Sequence, residues 1–423
     1  MRFRGSGVQG FRGWFLALVL LCATTALAQT GPGVVGEVRV HGNHTTPDAE
    51  VLAIVGEVVG KTATDALIAE MTTKLEQSGR FDGIEVRKRF RSIDNPDDVL
   101  LMVIVDEVPG IDEFDLTPGP MKKFRSSGMF LPILRYDDGY GFTYGMRTSF
   151  VDRLGPRSRI SVPLSWGGER QARVQVERTF KLGPVDRVAG EFGIGRKENP
   201  HYEIGDTRTS FNVRVEGAMR GWFRYGVGGG IDDVEFGDVN DRLETFGADA
   251  TIDTRVDPAF PRNAVHVKFG WERLQFDAGQ ANRNTLDARG YLGLFGGTVL
   301  ALRGLSITSD QPLPAYEHNL LGGPSSLRGF DTGYKADDNL AAASAELRIP
   351  LTSPLSIGRF GVKIFADYGA AYPHGQKLAD QTFDLGIGGG AYMHLTLISL
   401  GLDVAKGRGG DWHFQFGMGV TFK

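Results

Sequence analysis

Cysteine is nearly absent from this 423-residue chain: one thiol, Cys22, lies in the N-terminal apolar stretch. That stretch reads as a secretory signal peptide over residues 1–28. Arg2, Arg4 and Arg12 precede the apolar run Trp14 to Leu21, and Ala26-Leu27-Ala28 supplies the small residues of a cleavage site. The run is well short of the ~20 residues that a spanning helix needs. Leu20-Leu21 stand before Cys22 where a lipoprotein signal would carry a small residue, so the thiol is expected to leave with the signal. The mature chain then has no cysteine, which excludes a disulfide framework and thiol chemistry.

Basic excess is missing too. Lys and Arg number 47 against 51 Asp and Glu, for a formal net charge of −4 at pH 7, and cleavage would remove three of the arginines. No nucleic-acid partner is expected, because such a partner demands a basic stripe. Long apolar runs are absent after the signal, and mean hydropathy is −0.17. Helical membrane spans are thereby excluded, while a barrel of alternating strands is not. No Gly-x-Ser-x-Gly or His-Glu-x-x-His element occurs. His41 and His44 have ligand-like spacing, but they fall where a strand ends and a helix begins. The chain is therefore expected to have no catalytic residue, cofactor or metal.

Glycine and alternation are what the chain has in quantity. Glycine accounts for 59 of 423 residues, about twice the usual ~7%. The last residues alternate without a fault: Trp412, Phe414, Phe416, Met418, Val420 and Phe422 on one face, His413, Gln415, Gly417, Gly419, Thr421 and Lys423 on the other. Large apolar side chains opposite a polar, glycine-rich row suit a strand with lipid on one side and a wet lumen on the other.

Residues 34–108 have a different texture. Val35 to Val40 alternates, Thr46 to Val55 and Ala63 to Gln77 have helical spacing, and Phe81 to Phe90 and Val99 to Asp106 alternate again. This predicts a small α+β unit of order β-α-α-β-β. Thr46-Pro47 and Thr62 stand at the expected helix starts and Gly79 at a stop. Its core is expected from Val38, Val40, Val51, Ile54, Leu67, Met71, Leu75, Phe81, Ile84, Leu101, Val103 and Val105. Residues 109–129, with Pro109-Gly110, Thr117-Pro118-Gly119-Pro120 and Lys122-Lys123, have neither period and read as a linker.

From residue 130 to 423 the period-2 segments predict an all-β transmembrane barrel of 16 antiparallel strands. They fall at 130–137, 141–152, 159–167, 170–180, 187–196, 208–218, 222–232, 243–254, 263–275, 284–295, 298–308, 339–351, 360–372, 382–395, 397–405 and 412–423. Leu305 and Ile307 fall on the wrong face relative to Leu300 and Leu302, which predicts a bulge or a shifted boundary there. Connection lengths alternate. Leu182-Gly183-Pro184, Arg220-Gly221, Gly296-Gly297 and Thr396 are short, and those around 197–207, 233–242 and above all 309–338 are long. Barrels of the outer membrane have short turns on the periplasmic side and long loops outside. The N-terminal unit would then be periplasmic.

The longest connection contains Gly322-Gly323-Pro324-Ser325-Ser326-Leu327-Arg328-Gly329-Phe330. In the sixth outside loop, Leu-Arg-Gly-Phe resembles the signature of the BamA/TamA-type outer-membrane assembly and translocation superfamily. Ser344 to Leu351 resembles that superfamily's twelfth-strand segment, Phe365-Ala366-Asp367-Tyr368-Gly369 its thirteenth, and Asp253-Thr254-Arg255 through Phe260-Pro261 the turn before strand nine. The β-α-α-β-β unit is similar to one polypeptide-transport-associated (POTRA) domain. The best-known members carry several such domains, which speaks against a central assembly role here.

Alternation supports the same site. Ala345, Leu347, Ile349 and Leu351 take one face of their strand, so Glu346 points inward; Val362, Ile364 and Tyr368 do so on the next, so Asp367 points inward. An inward loop places Arg328 within reach of one or both carboxylates, at about 1.5–3 kcal/mol per charge-assisted bond. Gly329 would allow the turn that aims Arg328, Phe330 follows it, and inward Gly386, Gly388 and Gly390 would leave room for the loop. The resemblance implies a protein insertion or polypeptide translocation factor, whose partners are unfolded or extended client polypeptides and outer-membrane lipids. Periplasmic accessory proteins, a passive channel and the transporter half of a two-partner secretion system stay open. It also implies that Phe414, Phe416, Met418, Val420 and Phe422 serve as a C-terminal sorting signal. As strand sixteen they would form a seam with strand one, which contains Pro132.

Overall fold

The computed structural model describes residues 33–91, 97–108, 128–155, 157–180, 183–351, 358–395 and 398–420. The predicted signal peptide, most of the predicted linker, Thr396 and Phe422 lie outside these residues.

The N-terminal unit comprises β1 (Val34–His41), α1 (Asp48–Val55), α2 (Asp65–Gln77), β2 (Phe81–Phe90) and β3 (Asp98–Glu107). The sheet order is β1-β3-β2, with β3 parallel to β1 and antiparallel to β2. Central β3 is the most apolar strand because neighbours flank it on both sides and the helices cover one face. All twelve expected core residues belong to one apolar cluster, which Val35, Val55, Val58, Ala63 and Val99 complete. The cap of α2 differs from the sequence reading: Thr64 Oγ1, not Thr62, accepts the Leu67 N–H at 3.2 Å. Thr62 is instead bridged to Val34 of the sheet.

Beyond the linker come β4 (Gly128–Asp137), β5 (Gly141–Val151), β6 (Ser158–Gly167), β7 (Glu169–Thr179), β8 (Arg187–Asn199), β9 (Ile204–Met219), β10 (Phe223–Phe236) and β11 (Val239–Asp253). Next are β12 (Ala264–Phe276), β13 (Gly279–Gly293) and β14 (Val299–Ser309). The long loop that follows holds the hairpin β15 (Asn319–Leu321) and β16 (Lys335–Asp337). The chain finishes with β17 (Asn339–Leu351), β18 (Gly358–Tyr372), β19 (Asp384–Leu395), β20 (Ile398–Gly407) and β21 (Trp412–Val420). All but β15 and β16 close into one 16-stranded antiparallel barrel, β21 meeting β4. Closure leaves each strand a neighbour on both sides, and alternation sends Phe192, Phe211, Phe246, Phe269, Ile364 and Phe414 outward, all exposed.

Two sequence expectations are corrected. Residues 197–207 and 233–242 are not long loops: β8 and β9 flank a four-residue turn, and β10 and β11 pair to Phe236 and Val239 around Gly237-Asp238. These strands run past the apolar band. Val234, Phe236, Leu243, Leu274 and Phe276 there pack on Leu313 and Tyr316 of the long loop. With an apolar cluster inside and polar residues outside, the lipid-type alternation is reversed and the strand was hidden. The predicted bulge in β14 is also absent, since its register with β13 and β17 is unbroken. Leu305 and Ile307 do lie on the inner face, where Leu321, Leu327 and Leu340 cover them.

The two units touch at Asp257, a fully buried carboxylate in the turn between β11 and β12. It accepts from Arg89 of the N-terminal unit at 2.8 Å and from Arg359 of β18 at 3.1 Å. Arg359 also donates to the Phe90 carbonyl at 2.5 Å.

Candidate functional site

The long loop turns back into the barrel and buries Arg328 there. The guanidinium straddles two strands. Nε and Nη2 donate to Asp367 Oδ2 and Oδ1 at 2.6 and 2.8 Å, a bidentate grip, and Nη1 donates to Glu346 Oε2 at 2.5 Å. Nη2 reaches Ser344 Oγ at 3.1 Å, and Ser344 itself donates to Asp367 at 2.6 Å. The Arg328 backbone N–H adds a bond to Asp367 at 3.0 Å. Below the plane lies the Phe365 ring, its centroid 3.4 Å from Cζ.

Strand register explains why these groups meet. Ser344 pairs with Asp367 and Glu346 with Phe365, so alternate rungs of β17 and β18 point one patch into the lumen. Arg328, Glu346 and Asp367 are 7%, 7% and 2% exposed. Burial makes each charge depend on the others: removing one partner of such a set costs about 3–5 kcal/mol, because the remainder is left uncompensated.

Alternation in the sequence places Glu346 and Asp367; it left Asp403 unremarked. Asp403 on β20 lies 3.6 Å from Arg328 Nη1 and accepts from Lys363 Nζ at 2.9 Å, while Arg348 donates to Glu346 at 2.7 Å. Three cations thus balance three carboxylates. The signal for Asp403 was present, since it alternates with Leu402 and Val404 in the same way as Asp367 does with its neighbours.

Close backbone approach seats the rest of the motif. Gly329 has φ +87°, a conformation that side-chain-bearing residues rarely adopt. A Cβ on Gly386 would lie 1.8 Å from the Arg328 carbonyl oxygen, and one on Gly407 would lie 2.5 Å from the Phe330 ring. Inward Gly388 and Gly390 do not meet the loop; their Cβ positions face β20 instead.

A second anchor, which the sequence reading missed, holds the loop to the stretch of wall from β9 to β13. Glu317 accepts from Arg208 of β9 and Arg283 of β13 at 2.8 and 2.9 Å, and Tyr316 donates to Asp241 of β11 at 2.5 Å. The loop therefore crosses the barrel and caps the mouth opposite the N-terminal unit. Below it lies a polar cavity of about 460 Å³ whose lining includes Arg289, Arg303, Arg348, Lys363, Tyr392 and His394.

At the seam the outcome is different. Among the described residues β21 and β4 share two register pairs, Met418 with Tyr136 and Gly419 with Arg135, against fourteen between β10 and β11. Phe416 adds a tilted ring contact to Tyr136 at 5.5 Å. Phe414, Phe416 and Met418 lie on the outward face; Val420 ends the strand.

A family model described as the Omp85 superfamily domain matches residues 143–422. The chain belongs to the Omp85 superfamily. Solved structures agree on the fold of this Omp85 barrel: BamA from Haemophilus ducreyi lacking POTRA domains 1-3 is 15% identical, with a TM-score of 0.62 over 92% of this chain and 85% of that one. CdiB from Escherichia coli is 13% identical, with a TM-score of 0.56 over 92% and 77%. No curated protein matches the chain by sequence.

Proposed function

We propose that this Omp85 barrel is an outer-membrane insertase or translocator of polypeptides, acting without covalent chemistry. The observation that carries the reading is the seam between β21 and β4, which among the described residues has two register pairs where other joins of the ring have six to fourteen. A barrel meant only to stand in lipid gains from closing every edge, because each unpaired backbone group costs several kcal/mol in hydrocarbon, of order the ~2–7 kcal/mol transfer cost. A seam held by few bonds is the place where a nascent strand can enter and the wall can part.

The N-terminal unit serves as a periplasmic POTRA-like domain. Its edge strands are β2 and β1, the start of β1 already pairing with residues 60–62, and extended clients add to such an edge through backbone hydrogen bonds that tolerate most sequences. The loop that crosses the lumen argues against a passive channel, since it caps one mouth through two sets of buried charges.

Reconstitution tests the reading. Purified protein in lipid vesicles is expected to accelerate the folding of an unrelated outer-membrane barrel. High steady conductance with no acceleration would overturn the insertase reading in favour of a channel, and export of a soluble chain without barrel folding would make it a secretion pore. Photocrosslinking from β2 in living cells would identify the client and any accessory protein.

A further inference from the structure

The loop that buries Arg328 also reaches both sides of the seam. At the end of the motif, the Phe330 carbonyl accepts from Gln415 Nε2 of β21 at 3.0 Å, and Gln415 is buried. Two residues on, Thr332 Oγ1 donates at 3.0 Å to Asp138, in the turn that joins β4 to β5. That contact is tight: a Cβ on Gly139 would lie 2.7 Å from Thr332 Cβ. Between them Asp331 meets His413 of β21 at 3.2 Å, but Asp331 is mostly exposed and such a pair adds little.

We propose that Phe330 to Thr332 form a clasp that holds β21 to the β4–β5 hairpin, so that the seam is free to part only when the loop tip lifts. The stagger of the seam makes the clasp matter. Met418 pairs with Tyr136 near the end of β4, so the segment Trp412 to Phe416 of β21 runs beyond the end of β4 at Asp137. The loop tip lies along this segment and links it to the hairpin. Among the described residues two bonds through the loop stand beside two register pairs, so releasing the tip removes a large share of the contacts described between β21 and the β4–β5 hairpin.

The clasp is stiff for a second reason. Arg328, two residues before Phe330, is fixed to β17 and β18 by Glu346 and Asp367. The far wall, the loop tip and the seam thus form one connected path. A client chain that displaces the tip would open the seam without touching either seam strand.

The proposal builds on the insertase or translocator reading, but its test needs no client. Hydrogen exchange of peptides covering 128–137 and 412–420 would be measured on the full chain in lipid vesicles, because exchange follows the opening equilibrium of a local unit. Thr332→Val and Gln415→Leu are each expected to speed exchange in both segments about five-fold, the shift that loss of one ordinary hydrogen bond produces, with β17 and β18 unchanged. In the opposite direction, Thr332→Cys with Asp138→Cys, oxidised to a disulfide, is expected to slow exchange in the same segments. Unchanged exchange in folded variants overturns the clasp. If the first two variants fail to fold, the oxidised pair decides, and no slowing overturns it. Altered exchange in a chain that accelerates no barrel folding would retain the clasp and remove the insertase.

Discussion

The wall formed by β17 to β20 and the seam between β21 and β4 are parts of one ring, made from the same alternating strands, and they are held in opposite ways. At the wall, thirteen register pairs join β17 to β18, and a set of six charges, four of them buried, adds the loop to them. At the seam, the described residues give two pairs and a ring contact. Alternation makes a strand fit lipid and lumen but says nothing of how tightly it holds its neighbour. That depends on register and on the inward polar groups that each strand carries.

Making the weak side as strong as the wall should have the largest effect. Tyr136→Cys with Met418→Cys, oxidised, is expected to abolish acceleration of barrel folding in vesicles, with recovery on reduction. Full activity in the locked form would refute the seam as a gate. Weakening the strong side comes next. Arg328→Ala is expected to release the loop at a cost of about 3–5 kcal/mol, because Glu346 and Asp367 are left buried without their cation. Limited proteolysis within 310–338 should rise and activity fall. Arg328→Lys should be intermediate, as a lysine cannot make the bidentate contact.

A smaller change at the wall follows at its edge. Asp403→Asn removes the partner of Lys363 and a charge 3.6 Å from Arg328, while keeping the side chain's shape. Loop proteolysis should increase by less than in Arg328→Ala, and an equal increase would show that the wall depends on net charge more than on the Arg328 contacts.

The smallest effect lies outside the barrel, in the N-terminal unit. Burial alone would push the Glu107 carboxyl up, but the N–H groups of Thr46 and Thr45 outweigh it and hold the carboxyl below its ordinary value. A lowered folded value stabilises the unit above the unfolded pKa, about 4.3 for glutamate; the contribution is lost as pH falls through the folded value. Urea unfolding of this unit in the full chain should therefore weaken from pH 7 to below 4. Glu107→Gln should reduce that pH dependence while the barrel is unaffected.

Much of this was legible in the sequence because lipid and lumen impose a strict period. The number of barrel strands, the inward direction of Glu346 and Asp367, and the core of the N-terminal unit all follow from which residues alternate or recur. The outer ends of β8 to β11 and of β13 were not legible. There Val234, Phe236 and Leu243 face inward, against the loop, so the period gives the wrong side. Tyr316 and Glu317 were missed for a related reason: a loop carries no period, and their partners Arg208, Arg283 and Asp241 are distant in the chain.

Local chemistry thus determined the strands, the turns and the inward face on which a buried arginine could find its carboxylates, because each depends on residues a few positions apart. Which strands hold fast and which part was decided only by the closed ring. Register between the first strand and the last, and the path of a loop that crosses from one wall to the other, join residues that no sequence interval relates.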